Sequence, residues 1–217
     1  MCKEENEGDK AAEVPKRVSL VAAILERCSQ LLPQCQEQVL YASLMQTVRF
    51  SLDILSPFEN VFLPKVHQLW TPLQHQLCSD CHLRQRQALQ VLMVLVRSCP
   101  NFLRHRIVNE VLPHLLTFLE SQAVSSHGKR RKAHVLTQAF KLQKLLLQET
   151  ATLVQCLSLP VREVSKLLRT IYLYLSCHQL PELQASIQLM SSVLNSYLIF
   201  FFLIFENLSA DVSKGKH

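Results

Sequence analysis

Apolar residues recur at steps of three and four along almost the whole of this 217-residue chain, and prolines cut the pattern into segments of helix length. From Val18 to Leu32 the positions Leu20, Val21, Ile24, Leu25, Cys28, Leu31 and Leu32 predict one buried helical face. Pro33 ends it, and a second helix is expected from about Gln36 to Leu55 on Leu40, Leu44, Val48 and Leu52. Beyond Ser56-Pro57 a third carries Leu63, Val66, Leu69, Trp70, Leu73 and Leu77. A fourth starts near Leu83, carries Leu89, Leu92, Leu95, Val96 and Cys99, and stops at Pro100. Val111, Leu112, Leu115, Leu116 and Leu119 suggest a fifth; Ala139, Leu142, Leu146, Leu153 and Leu157 a longer sixth. Pro160 precedes a seventh over 161–177, and Pro181 introduces an eighth.

None of these helices could bury its stripe alone, and short connections force each against its neighbour in the chain. Glycine supports the same conclusion. There are three, Gly8, Gly128 and Gly215, so the long stretch between the first two has none of the residues that hairpins and phosphate-cradling loops use for positive φ. A composition of 48% hydrophobic and 18% charged residues excludes disorder for most of the chain. The pentapeptide Asn60-Val-Phe-Leu-Pro64 is echoed by Asn109-Glu-Val-Leu-Pro113, 49 residues on (64 to 113), which suggests a reused helix start with proline in its first turn. That period lies just above the roughly 40 to 47 residues of HEAT and armadillo units. The expected fold is an all-α solenoid of about four HEAT-like antiparallel helix pairs over 17–193. A polar lead-in precedes it at 1–16, and a divergent hydrophobic tail with a polar C-terminus follows at 194–217.

The formal net charge is +6, but Lys129, Arg130, Arg131 and Lys132 form one run and Lys214 and Lys216 close the chain; without them the rest is near neutral. No nucleic-acid-binding stripe is expected. The run is instead a basic loop between the fifth and sixth helices, open as a contact surface or nuclear-import patch. Eight cysteines spread through apolar segments behind an acidic, polar N-terminus suggest a reducing compartment and free thiols, hence a cytoplasmic protein, with the basic run leaving the nucleus open.

Catalysis finds little support. The chain has four aspartates, its glutamates scatter singly, and neither a Gly-x-Ser-x-Gly turn nor a Gly-x-x-x-x-Gly-Lys loop occurs. No enzyme and no cofactor are expected. The sharpest motif is Cys78-Ser-Asp-Cys81-His82, which with His75 could supply half of a metal site. No second ligand pair follows to close a tetrahedron, so an ordinary inter-helix turn is the simpler expectation, and metal binding by Cys78, Cys81, His82 and His75 is an alternative. A second alternative comes from 183–205, which holds no charge and could anchor a tail in a membrane. Gln184, Gln188, Ser191, Ser192, Asn195 and Ser196 weigh against that partner.

Three stretches carry a family resemblance. Leu63-Pro-Lys-Val-His-Gln-Leu-Trp-Thr-Pro-Leu73, Ala88-Leu-Gln-Val-Leu-Met-Val-Leu-Val96 running on into Cys99-Pro-Asn-Phe-Leu-Arg104 and Val111-Leu-Pro113, and Ala139-Phe-Lys-Leu-Gln143 resemble the C-terminal HEAT region of the Tel-two-interacting protein one family. The resemblance covers roughly Val18 to Val193. It implies a non-catalytic scaffold like that of the Triple T co-chaperone complex, supporting maturation and stability of phosphatidylinositol-kinase-related kinases such as mTOR. Its implied partners are the other Triple T subunits and, indirectly, chaperone machinery and kinase clients. Members of that family are much longer solenoids, so the chain looks like a truncated form, and its tail departs from the family pattern.

Overall fold

The computed structural model describes residues 15–127, 134–176 and 180–214. Among the described residues there is no strand. The helices are α1 (Lys16–Leu31), α2 (Gln38–Leu55), α3 (Glu59–Leu77), α4 (His82–Ser98), α5 (Pro100–Arg106), α6 (Leu112–His127), α7 (Gln138–Leu157), α8 (Val161–Leu175) and α9 (Leu180–Lys214). A π turn, Ile107–Val111, joins α5 to α6, so Pro100–His127 runs as one irregular rod.

Most helices touch their neighbour in the chain and the helix of the same layer in the next pair. One layer holds α1, α3, the α5–π–α6 rod and α8; the other holds α2, α4, α7 and α9. The result is four stacked antiparallel pairs, an α-solenoid, with one continuous apolar core from Val18 to Val193. Leu25, Val48, Leu69, Leu92, Leu146 and Ile171 are fully buried along it.

Local chemistry sets the boundaries. Pro15 has no amide hydrogen to offer, and its carbonyl accepts from Val18 N at 2.8 Å and Ser19 N at 3.2 Å to open α1. Glu37 caps α2 with its carboxylate, accepting from Val39 N at 3.2 Å and Leu40 N at 3.0 Å. The Thr137 hydroxyl does the same for α7, accepting from Phe140 N at 3.1 Å. Polar side chains then tie pair to pair: Gln143 donates to Glu182 across α7 and α9, Gln155 donates to Ser192 at 2.9 Å, and the buried Tyr174 hydroxyl donates to Leu119 O at 2.6 Å.

Two expectations are corrected. Pro64 does not start a helix: α3 begins at Glu59, and Pro64 and Pro72 both lie inside it. Pro113 likewise follows an unbroken rod, where the wider π turn over 107–111 makes room for a ring that would otherwise meet the carbonyl four residues back. Leu20, Ile24 and Leu40, read from their spacing as core, are 63%, 40% and 51% exposed. The apolar set of α1 is wider than the face its own pair and the next pair can cover. Helix α9 runs through 193/194, where the sequence reading starts the tail, and Tyr197 just beyond donates to Leu159 O.

With no glycine near, the end of α7 is taken by Ser158 at φ 44, ψ 67, the one positive-φ residue among those described. A β-carbon in that region costs about 1 kcal/mol or more. Ser158→Gly is expected to stabilise the chain by up to about 1 kcal/mol, raising Tm by ~2–4 °C in a thermal melt. Leu92→Ala, in the middle of the core, is expected to cost about 3 kcal/mol in denaturant unfolding.

Candidate protein-binding surfaces

The Cys78–His82 segment forms the α3–α4 turn, and its groups do separate things. Cys81 is the residue before α4, and its carbonyl accepts from Gln85 N at 2.9 Å. The His82 ring leans on Phe118 with centroids 5.4 Å apart. Gln76 Nε2 lies 3.4 Å from His75 Nδ1. Among the described residues no three His, Cys, Asp or Glu side chains gather as a metal group, and Cys78 and Cys81 are free thiols. Burial, then the Glu110 carboxylate, holds the Cys78 thiol above its ordinary range, which lowers its thiolate fraction at neutral pH. Lys129, Arg130, Arg131 and Lys132 lie outside the described residues. Among the described residues no helix is long and apolar enough to cross a membrane.

A cluster that spacing could not reveal sits where α3 meets the π turn. Trp70 Nε1–H donates to Glu110 Oε2 at 2.8 Å. Arg106 lies over the Trp70 ring at 5.8 Å and the Phe102 ring at 5.9 Å, and its Nη2 donates to His67 Nδ1 at 2.9 Å. The guanidinium is held by two aromatic faces and an imidazole, so little side-chain freedom is left to lose on binding. The signal in the sequence was Arg-plus-aromatic at helical spacing, but the π turn that carries Glu110 to the Trp70 Nε1–H has no sequence signature. A similar device anchors the first junction, where Arg84 stacks 4.8 Å from the Tyr41 ring and donates to Cys35 O at 2.9 Å and Gln36 O at 2.8 Å.

Two concavities follow the stacking. One, of about 280 Å³, runs between α2 and α4 past Met45, Arg49 and Val91. The larger, about 520 Å³, lies where Arg104, Leu159, Pro160 and Tyr197 meet, and its floor is fixed by the 2.7 Å bond from Arg104 to Ser158 O. Both are open troughs without convergent carboxylates or a nucleophile–base pair. They fit side chains of a partner protein better than a reacting small molecule.

Thiol chemistry tests the turn. At pH 7.5 Cys78 is expected to be alkylated by iodoacetamide more slowly than a free cysteine, read by mass spectrometry of the tryptic peptide. Burial also pushes the Cys99 thiol from 9.0 up to about 11, so the folded chain keeps a proton that the unfolded chain gives up first. Its stabilising share is complete below pH 9 and is lost as pH rises toward 11. Cys99→Ala is expected to flatten the fall of stability across that window in urea titrations.

The sequence has relatives. Human TELO2-interacting protein 1 homolog is 32% identical over 172 residues, 79% of this chain. The mouse protein of the same name is 31% identical over 172 residues, again 79% of this chain. The chain spans 16% of the length of each. No solved structure matches. The family described as TTI1 C-terminal TPR domain matches residues 2–196, which runs from ahead of α1 into α9 and so reaches all four helix pairs. With helix order, core and length of match in agreement, this chain belongs to the TTI1 C-terminal TPR domain family.

Proposed function

We propose that the chain is a non-catalytic scaffold subunit of a Triple T-type co-chaperone complex, supporting maturation and stability of phosphatidylinositol-kinase-related kinases of the mTOR class through protein–protein binding. The observation that carries this reading is the match over residues 2–196 to a domain whose curated relatives are named for interacting with TELO2. The architecture supports it. Four stacked pairs give long helical faces, and the surface carries large apolar residues such as Phe50, Phe102 and Tyr172, 51%, 40% and 72% exposed, beside arginines held in place by aromatic rings. Residue types for acid–base or nucleophilic chemistry do not converge in either trough. TELO2 is the proposed direct partner, with chaperone and kinase clients reached through it, in the cytoplasm and also the nucleus.

Affinity purification of the tagged full chain from human cells, followed by mass spectrometry, is expected to recover TELO2 at near-stoichiometric yield, and fractionation to place the chain in cytoplasmic and nuclear extracts. Recovery of neither TELO2 nor any other Triple T subunit sinks the reading. Arg106→Ala is expected to weaken the TELO2 interaction ~10-fold while the melt stays within about 1 kcal/mol of wild type.

A further inference from the structure

The larger trough, at the α7–α8 turn, is built to hold its shape. It is lined by Val154 near the end of α7, Leu159 and Pro160 in the turn, Val161 at the start of α8, Tyr197 of α9 and Arg104 of α5. Two carbonyls of the turn are already engaged: Ser158 O accepts from Arg104 Nη2 at 2.7 Å, and Leu159 O accepts from the Tyr197 hydroxyl. Gln155, also on the lining, is held through its Nε2 by Ser192. The turn is thus tied from α5 and from α9, and the trough needs no ligand to form it. At about 520 Å³ it has room for one large apolar side chain with a short polar group beside it.

Charge there has one sign. Arg104 is the charged residue of the lining, no carboxylate lines the trough, and among the described residues none pairs with Arg104. A guanidinium has five N–H donors and the Ser158 bond uses one, so donors remain for an incoming acceptor. The charge also reaches into the trough: burial raises the Tyr197 hydroxyl, and the Arg104 guanidinium pulls it back. Beside apolar walls a carboxylate meets that cation with less water between them than on an open surface. A purely apolar occupant would desolvate Arg104 without a partner, and a bare anion would leave Val154 and Leu159 unused. The trough is open, so a chain can pass along it, and in an extended chain residues two apart point to the same side.

We propose that this trough takes an extended segment of a partner protein in which an Asp or Glu stands two residues from a Phe or Leu, the carboxylate on Arg104 and the apolar side chain against Val154, Leu159 and Tyr197. The proposal rests on the protein-binding reading and names the chemistry of one contact within it. Arg104 selects the acid, and the walls of the α7–α8 turn select the apolar neighbour.

The probes are acetyl-Asp-Ala-Phe-amide and its reverse, acetyl-Phe-Ala-Asp-amide, titrated against the full 217-residue chain and followed by saturation-transfer NMR of the peptide. At least one is expected to bind, with the Asn-for-Asp form ~5-fold weaker and the Ala-for-Phe form ~10-fold weaker. Val161→Glu sits at an exposed first position of α8, where a helix tolerates a carboxylate, and it supplies an anion on the trough's own wall. It is expected to keep Tm while weakening the Asp probe at least ~5-fold. Arg104→Gln is expected to erase the preference for Asp over Asn and to keep the preference for Phe over Ala. No binding of either probe at ~10 mM overturns the proposal, as does equal binding of the Asp and Asn forms, equal binding of the Phe and Ala forms, or binding that neither variant changes. The peptide comparisons on the unmodified chain stand even where a variant fails to fold. Loss of TELO2 recovery with the probes still bound counts against the scaffold reading alone, and failed probes with TELO2 recovered count against this contact alone.

Discussion

An amphipathic helix of fifteen to twenty residues has a stripe it cannot bury by itself, and everything else in this molecule follows from where the stripes are covered. Within a pair, α1 covers α2 and α3 covers α4. Between pairs, helices of the same layer pack on one another, α2 on α4 and α4 on α7. Each helix therefore needs two apolar faces, one toward its partner and one toward the next pair. The continuous core from Val18 to Val193 is the sum of those contacts, with no central nucleus that a globular domain would have. A solenoid of this kind must also end somewhere, and its end faces are made of the same apolar residues as its joints.

Polar groups specify the joints more than they strengthen them. Lys65 and Glu26, Arg97 and Glu149 at 3.1 Å, Gln155 and Ser192, and Tyr174 and Leu119 O each tie helices of the same layer in adjacent pairs. Partly exposed ion pairs of this sort contribute little to stability, about 0–1 kcal/mol, but a one-turn slip would strand them. The apolar stripes alone would tolerate such a slip, because leucine at steps of three and four looks alike in several registers. The stacked arginines extend the logic to the surface. Arg84 and Arg106 lie on aromatic rings and bond to backbone or imidazole, which fixes the turn between pairs and leaves a rigid, cationic feature facing outward.

The π turn at 107–111 illustrates how a single irregularity serves both packing and surface. Pro113 removes an amide from the ladder, and the wide turn accommodates its ring without breaking the rod. The same turn brings Glu110 to the edge of the Trp70 ring, at its Nε1–H, while Arg106 lies over the ring face. The pentapeptide repeat at 60–64 and 109–113 falls on successive helices of one layer, so the echo is real in position, although neither proline begins a helix.

Most helix positions, the four pairs and the family were legible in the sequence, because 3.6-residue periodicity, prolines at the breaks and scarce glycine report on local geometry that needs no knowledge of neighbours. Burial was legible only where one face sufficed. For Leu20, Ile24 and Leu40 the spacing is that of a core residue, yet exposure depends on whether another pair is present, and no helix contains that information. The Cys78–His82 spacing likewise says nothing of what surrounds it: burial and the Glu110 carboxylate, which raise the Cys78 thiol, come from the fold. Sequence alone determined that the chain is a ladder of amphipathic helices of this family. Only the tertiary structure decided which stripes are joints and which stay exposed among the described residues, because a helical face becomes core when something else in space covers it.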